Sequence, residues 1–223
     1  MKSLKLAAAV VVAFAFVSTP LPAARKAGQP KAGNAKAQGS KPTAPEPPPV
    51  KAFGAKGAPI TIEIFSDFEC PSCRTYYEGV WRRLMENYVD TGKVYLIHRD
   101  MPLPMHASSR LAAQYADAAA RIGKFEKVEE VLFSKQDVWG QSGDVDGTVA
   151  SVLTPAEMAK VRQLVKGGQL GAAIERDLAL GQTYRINQTP TTIITCKGQT
   201  YPVVGAVSYS ILRQFLDQLL SQK

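Results

Sequence analysis

The sequence is poor in the side chains that bind metal ions. Its 223 residues include three cysteines and two histidines. Two of the cysteines form one close pair, Cys70 and Cys73, whereas Cys196, His98 and His106 do not show the paired spacing of zinc ligands. Because a structural zinc site uses about four such ligands, the composition disfavours one, and no metal is expected.

The chain also lacks an apolar run long enough for a clear transmembrane helix, which needs about 20 residues. The apolar segment Leu6–Val17 is shorter, follows Lys2 and Lys5, and precedes small residues and prolines. This order is typical of a secretory signal, so we predict a signal peptide over residues 1–24. No clean Ala-x-Ala cleavage site is present, which leaves an uncleaved N-terminal anchor as the alternative. In both cases the protein is expected in the periplasm or another extracytoplasmic compartment.

Residues 25–56 have few branched aliphatic side chains and one aromatic residue, Phe53. They are rich in Ala, Lys, Gly and Pro and include the run Pro47-Pro48-Pro49. Such a segment cannot bury enough apolar surface to offset the entropy lost on ordering. We therefore predict a disordered, polyproline-like linker and a single folded domain over residues 57–223.

The predicted domain has no excess of charge of either sign. The whole chain carries a net charge of +8, and the segment before residue 57 accounts for all of it. The neutral charge of the domain argues against nucleic-acid binding, since domains that bind nucleic acid carry clustered basic residues on their surface. The basic linker could make weak contact with an anionic membrane surface. Its lysines are spread out rather than clustered, which favours a linker that is simply well solvated.

Two strand patterns frame the first helix of the domain. Ile60–Phe65 is a nearly continuous apolar run after Gly57 and Pro59, and residues 93–98 form a second β-rich run. The segment between them, from the cysteine pair to Tyr88, is predicted to be helical. Strand, helix and strand make a βαβ unit, so the two strands are expected to be parallel with a right-handed crossover.

The segment after the second strand is mainly helical. Helices are predicted over residues 107–122, 125–133, 154–165 and 170–184. Thr154 and Glu157 form a capping-box pattern, whereas the Gly- and Asp-rich residues 138–152 are predicted to form a loop or short turn. Beyond this segment, Thr191–Cys196 and Thr200–Val204 are predicted to form a β-hairpin, and an amphipathic helix follows it.

The pair of cysteines in Cys70-Pro71-Ser72-Cys73 is the strongest chemical signal. A thiolate is the nucleophile in disulfide exchange, and a helix N-terminus favours an anion because its N–H groups are free. We therefore assign Cys70 as the attacking cysteine and Cys73 as the resolving one. A purely structural disulfide and half of a zinc site are the alternatives.

The order of elements and three motifs resemble the DsbA-like branch of the thioredoxin superfamily. The motifs are Phe65–Cys73, which contains the CxxC pair, Thr189-Pro190-Thr191 before the third strand, and Met101-Pro102-Leu103-Pro104-Met105-His106 before an Ala-rich helix. The resemblance implies an α/β thioredoxin fold, a central mixed sheet flanked by helices, with an inserted helical subdomain at about residues 102–184.

The resemblance also implies roles for residues outside the CxxC pair. Thr189-Pro190 would have a cis peptide bond beside the cysteines, and the Thr189 backbone would bind an extended substrate. Glu63 would be a buried acid on the first strand that relays a proton to or from Cys73. A position at an exposed edge of the sheet is the alternative for Glu63.

The dipeptide between the cysteines, Pro71-Ser72, departs from the strongest oxidants of that family, which carry a histidine in place of Ser72. Pro71 costs little at the first helical position. Asp67 and Glu69 add negative charge nearby, which opposes a thiolate at Cys70. Pro71, Ser72 and Glu63 are therefore the predicted redox-tuning residues, and we predict a milder oxidant with a less extreme cysteine pKa.

The sequence thus predicts an exported thiol–disulfide oxidoreductase that forms disulfide bonds in unfolded or thiol-bearing exported proteins. No organic cofactor is needed, and the resemblance implies reoxidation by a quinone-linked membrane partner. A reductase or isomerase kept reduced by a membrane donor, and a non-catalytic peptide-binding or chaperone module, are the alternatives. Cys196 is expected to be a buried apolar residue, and His106 a helix cap or surface residue.

Overall fold

The computed structural model describes residues 50–222. The predicted signal segment and residues 25–49 of the predicted linker lie outside this part of the chain. The described residues include a five-stranded mixed sheet with the order β1-β3-β2-β4-β5. The strands are β1 (Ala52–Phe53), β2 (Ile60–Ser66), β3 (Val94–Asp100), β4 (Thr191–Cys196) and β5 (Gln199–Val204).

The central pair of strands, β2 and β3, is parallel, and the other pairs are antiparallel. The crossover between them begins with α1 (Pro71–Tyr76) and continues through a π-helical turn at Tyr77–Trp81, α2 (Arg82–Leu84) and a second π-helical turn at Met85–Val89. The βαβ prediction is therefore confirmed. It brings the carboxyl end of β2, and the cysteines that follow it, to one edge of the sheet.

Six helices between β3 and β4 form the helical insertion: α3 (Ser109–Arg121), α4 (Phe125–Ser134), α5 (Gln136–Ser142), α6 (Val145–Ala150), α7 (Pro155–Lys166) and α8 (Gly171–Thr183). The final helix, α9 (Tyr209–Ser221), follows the hairpin. A mixed sheet flanked by helices, with a helical insertion, is the predicted fold class. The capping box is also confirmed, since the Thr154 side chain accepts from the Glu157 N–H and the Glu157 carboxylate accepts from the Thr154 N–H.

Two large hydrophobic clusters hold the structure together. One includes Ile62 and Leu96 on the sheet, Leu84 on α2 and Leu216 on α9, all almost completely buried. The other lies mainly within the insertion but also contains both cysteines of the CxxC pair. The insertion therefore shares its core with the catalytic candidates.

The boundary between linker and domain lies earlier than predicted. Ala52–Phe53 pairs with β3, and the N–H of His98 donates to the carbonyl of Lys51 at 2.9 Å. The Phe53 ring packs edge-on against Trp81, with ring centroids 5.6 Å apart. One aromatic side chain and one added strand thus anchor a segment whose composition resembles a linker.

The loop predicted over residues 138–152 is wrong, because α5 and α6 occupy most of it. Trp139, Val145 and Val149 are fully buried, and the Asp144 side chain caps α6 by accepting from the Gly147 N–H at 2.8 Å. Burial of these apolar side chains outweighs the weak helix propensity of the glycines and aspartates.

Candidate active site

Cys70 is the N-cap residue of α1, with extended backbone angles (φ −78°, ψ 120°) and proline at the first helical position. Its carbonyl accepts the Cys73 N–H at 3.0 Å, which starts the helix. Cys70 is 7% exposed and Cys73 is 1% exposed, and both are free thiols. Pro71 and Ser72 face solvent between them. The local sequence therefore leaves one cysteine at the surface end of the helix and the other inside the core.

The two thiols have opposite acidities. The Cys73 thiol donates a hydrogen bond to the Cys70 sulfur, and this lowers the pKa of Cys70 to about 5 although partial burial opposes it. The Thr189 side chain and the N–H groups of Cys73 and Ser72 contribute to the lowering. Burial raises the pKa of Cys73, and the adjacent Cys70 thiolate raises it further. Near neutral pH Cys70 is therefore a thiolate and Cys73 is protonated, which fits the predicted division into attacking and resolving cysteines.

The loop before β4 approaches Cys70 from the other side of the site. The Thr189–Pro190 peptide bond is cis, as predicted. The Cys70 sulfur lies 3.5 Å from the carbonyl oxygen of Thr189, and the Pro190 carbonyl accepts the Gly205 N–H at 2.8 Å. The fold thus joins two residues 119 positions apart in the sequence.

Asp67 is a buried carboxylate directly before the CxxC motif, and it accepts four hydrogen bonds. Its Oδ1 atom accepts from the Glu69 N–H at 2.8 Å and the Ser109 hydroxyl at 2.6 Å. Its Oδ2 atom accepts from the Leu103 N–H at 2.8 Å and lies 2.7 Å from Nδ1 of His106. Asp67 therefore fixes the loop after β3, residues 101–108, against the segment that carries the cysteines.

The same aspartate contacts both cysteines through its backbone. Its N–H points at the Cys73 sulfur at 3.4 Å, and its carbonyl accepts the Cys70 N–H at 3.1 Å. The neighbouring carboxylate, Glu69, accepts the Ser108 N–H at 2.8 Å, next to the start of α3. Asp67 and Glu69, the two acids expected to oppose the thiolate, thus accept hydrogen bonds from residues 103–109. His106 is one of these donors and not a helix cap.

Gln136 on α5 is a site residue that the sequence did not reveal. Its Nε2 atom donates to the carbonyls of Phe68 at 2.7 Å and Cys70 at 3.0 Å. It therefore holds the turn into α1 in place. No motif marks this glutamine, which lies between the helix predicted to end at residue 133 and the loop predicted to begin at residue 138.

Glu63 is buried on β2, so its predicted alternative position at an exposed edge is wrong. Its carboxylate accepts from Arg99 at 2.6 and 2.8 Å and from the Tyr184 hydroxyl at 3.4 Å. Within residues 50–222 no contact joins it to Cys73. Glu63 is thus held in an ion pair with Arg99, which in turn contacts Asp177 at 3.0 Å.

A second group of ionisable side chains lies in the interior between the sheet and the insertion. This ionic cluster consists of Lys51, His98, Asp100, Asp117, Glu129 and Asp177. The Lys51 ammonium contacts Asp100 and lies 2.8 Å from Asp117. In the described part of the chain, no group of His, Cys, Asp and Glu residues has the geometry of a metal site. The described helices also include none that is long and apolar enough to cross a membrane.

Comparison with known proteins shows which family the chain matches. The family model described as thioredoxin matches residues 48–218. Disulfide bond formation protein D from Bacillus subtilis (strain 168) is 25% identical over 178 residues, 77% of each chain. Na(+)/H(+) antiporter NhaA 3 from Salinispora tropica is 25% identical over 169 residues; the match spans 75% of this chain but 25% of the antiporter.

Comparison with a solved structure supports the same fold. Pseudomonas aeruginosa DsbA2 superimposes with a TM-score of 0.64 at 24% identity, covering 78% of this chain and 96% of that one. This likeness supports the fold of the described domain. Together with the family model, it confirms the resemblance that the CxxC and Thr-Pro motifs indicated.

Proposed function

This chain belongs to the thioredoxin family, and we propose that it is an exported thiol–disulfide oxidoreductase that forms disulfide bonds in substrate proteins through Cys70 and Cys73. The observation that carries the proposal is the asymmetry of the two thiols: Cys70 has a pKa of about 5 at the surface end of α1, and Cys73 is buried and protonated. The name of one relative, disulfide bond formation protein D, supports the same direction of reaction.

The chemistry follows from the exposure and acidity of the two sulfurs. In the oxidised protein, a substrate thiolate attacks the Cys70 sulfur, the Cys70–Cys73 bond breaks, and Cys73 leaves and takes up a proton. A second substrate thiolate then attacks the substrate sulfur of the mixed disulfide and releases Cys70 as a thiolate. The substrate loses two electrons and the cysteine pair gains them. A cysteine of low pKa is a good leaving group, which favours release of the oxidised substrate.

The loop that contains Thr189 and Pro190 is proposed to hold the substrate during this exchange. Its Thr189 carbonyl lies beside the Cys70 sulfur, and the Thr189 side chain favours the Cys70 thiolate. An extended peptide that presents its cysteine to Cys70 would run along this backbone. The substrates are therefore expected to be unfolded or flexible proteins that carry thiols.

The cellular setting is proposed from the N-terminal sequence and the family. The charged and apolar pattern of residues 1–24 is that of an export signal, and an oxidising compartment is where new disulfides persist. Each turnover leaves the cysteine pair reduced, so continued activity requires an oxidant. We propose a membrane protein linked to quinones as that partner.

The test is the reduction potential of the cysteine pair, measured by equilibration with glutathione buffers. We expect a value between about −120 mV, as in DsbA, and about −200 mV, near the poise of oxidising compartments. The milder value follows because the pKa of Cys70 lies between about 3.5 for DsbA and about 7 for thioredoxin. A potential near about −270 mV, as in thioredoxin, would instead identify a reductase.

The matched variant is the double change Cys70→Ala with Cys73→Ala. We expect it to lose the ability to oxidise a reduced, unfolded substrate protein, while Cys196→Ala keeps it. Full activity of the double variant in cells would contradict the proposal and support a peptide-binding or chaperone module.

A further inference from the structure

The CxxC dipeptide carries no cation of its own, since Pro71 and Ser72 separate the cysteines. The chain has two histidines. His98 is 2% exposed and belongs to the ionic cluster. His106 instead lies in the loop of residues 101–108, with its side chain 19% exposed, and contacts the segment before the cysteines. This placement makes His106 the histidine that can act on the site.

Among the described residues, His106 is the partner of Asp67 that can carry a positive charge. The Asp67 side chain is fully buried, and three of its four partners are neutral donors. A buried carboxylate that lacks a cationic partner is costly, and His106 is the cationic partner at 2.7 Å within the described residues. Its Nδ1–H donates to Asp67, and the Asp67 carboxylate favours the charged form of the ring.

Asp67 also connects this histidine to the reacting sulfurs. The backbone N–H of Asp67 points at the Cys73 sulfur, and its carbonyl accepts the N–H of Cys70. Asp67 therefore contacts the histidine through its side chain and both cysteines through its backbone. A positive charge on that histidine favours the ionised form of Cys70 and lowers the cost of releasing it from a mixed disulfide.

We propose that His106, held by Asp67, is a positioning residue that supplies the positive charge missing from the CxxC dipeptide and sets how readily Cys70 ionises. The proposal deepens the oxidoreductase function above, and rests on it for its biological meaning. The acidic groups that face His106 come from the segment before α1: Asp67, Glu69 and the Cys70 thiolate. Although partial burial opposes the charge, the hydrogen bond to Asp67 and these three groups raise the pKa of His106. Interaction between two titrating groups is mutual, so we expect the His106 imidazolium to favour the Cys70 thiolate in return.

The test is the ultraviolet absorbance of the Cys70 thiolate, titrated in wild type and in His106→Asn. Asparagine keeps a donor for Asp67 but removes the charge. At an effective dielectric constant of about 20 to 40, losing one charge several ångströms away should reduce the acid dissociation constant of Cys70 roughly tenfold. The equilibrium with glutathione should move toward the disulfide form by a similar factor.

Two further variants separate charge from structure. His106→Lys restores a cation and should recover part of the lost acidity. Ser72→His in the His106→Asn background places a cation in the dipeptide itself and should also recover it. Arg110→Gln removes a charge from the exposed surface of α3, where Arg110 pairs with Glu175, and should leave the titration unchanged.

The outcomes are distinct from those of the functional test. If His106→Asn folds, as judged by circular dichroism and thermal unfolding, and titrates like wild type, the proposal is overturned. If the potential of the wild type is strongly reducing but His106→Asn still shifts the titration tenfold, the proposed direction of reaction fails while the role of His106 stands. If Asn and Lys shift the titration equally, His106 acts through its shape and not its charge, and the proposal fails.

Discussion

The active site and the ionic cluster both contain side chains whose pKa values are shifted from their usual range, but the surroundings of these side chains differ. At the active site, donors converge on one sulfur that lies at the surface end of a helix, and Asp67 has four partners. In the ionic cluster, Oδ2 of Asp117, Nε2 of His98 and Oε2 of Glu129 lack hydrogen bonds within the described residues. A shifted pKa alone therefore does not identify a catalytic residue. The group must also lie where a substrate can reach it.

The cluster illustrates how burial alone moves acidities. Burial, helped by the charge of Lys51, lowers the pKa of His98 well below its usual value, and burial raises the pKa of Glu129 well above it. The His98–Glu129 pair at 3.0 Å is therefore a hydrogen bond between neutral groups. Burial also disfavours the Lys51 ammonium, but the carboxylates of Asp100, Asp117 and Asp177 outweigh it and raise the pKa of Lys51.

The comparison predicts that the cluster contributes to stability and not to redox chemistry. Replacing Lys51 by methionine removes the cation that contacts Asp100 and Asp117, and removing one partner of a buried pair costs about 3–5 kcal/mol. We expect this loss in chemical denaturation, with the thiolate titration of Cys70 unchanged in the folded variant. The control is Lys56→Met, an exposed lysine of the same segment. An unchanged unfolding free energy for Lys51→Met would refute this division of roles.

The active site instead predicts a stability that depends on redox state and pH. The pKa of Cys70 is about 5 in the folded, reduced protein and about 8.5 in an unfolded chain. A lowered pKa stabilises the fold fully above the unfolded value, and this contribution is lost as the pH falls through 5. Denaturation of the reduced protein, relative to the oxidised protein, should therefore show stability rising between about pH 5 and 8.5.

The slope has an upper limit of about 1.4 kcal/mol per pH unit for one proton, and partial solvent exposure of Cys70 reduces it. Above about pH 8.5 the buried, protonated Cys73 opposes the trend, since its pKa is raised in the folded state. The same measurement on reduced Cys70→Ala is the control, and a difference that stays flat from pH 5 to 8.5 would contradict a thiolate at Cys70.

A smaller effect is expected from removing the hydrogen bond between Cys73 and Cys70. The hydrogen bond from Cys73 is the largest cause of the low pKa of Cys70, and a bond to a charged acceptor is worth about 1.5–3 kcal/mol. Cys73→Ala should thus raise the pKa of Cys70 by about one or two in a titration of thiolate absorbance. Cys196→Ala removes a thiol that is buried at the end of β4 and should leave Cys70 unchanged; an unaltered titration of Cys73→Ala would point to another source of the acidity.

The smallest expected effect is the loss of a helix cap that lies outside both the active site and the ionic cluster. Thr154→Ala removes the capping box of α7 and should lower the unfolding free energy by about 1 kcal/mol. The reduction potential should not change. Thr183→Ala, at an exposed position in the last turn of α8, is the control. A shift in potential for Thr154→Ala would mean that the insertion transmits small stability changes to the cysteines.

The sequence predicted features that depend on local pattern. Apolar and β-branched runs located β2 to β5, the capping box located the start of α7, and the CxxC spacing located the N-terminus of α1. The cis bond at Thr189–Pro190 followed from the family resemblance. In each case the deciding residues are close together in the sequence or belong to a short motif.

The contacts that the sequence missed join distant segments. Gln136 reaches Cys70 across 66 positions, and Lys51 reaches Asp100 across 49. A glutamine in an irregular-looking stretch and a lysine in a linker-like stretch carry no periodic signal, since their partners are set by tertiary packing. Glu63 stands out in the sequence as a charged residue in an apolar strand, but its ion pair with Arg99 could not be predicted from that strand alone.

The amide of Gln136 has a consequence for protein engineering. By holding the carbonyls of Phe68 and Cys70, it makes the insertion part of the active-site turn. A minimised version of this protein that keeps the sheet and removes residues 102–184 would lose that clamp and also His106 and Ser109. Grafting the four residues from Cys70 to Cys73 onto another scaffold would therefore transfer a disulfide but not its reactivity.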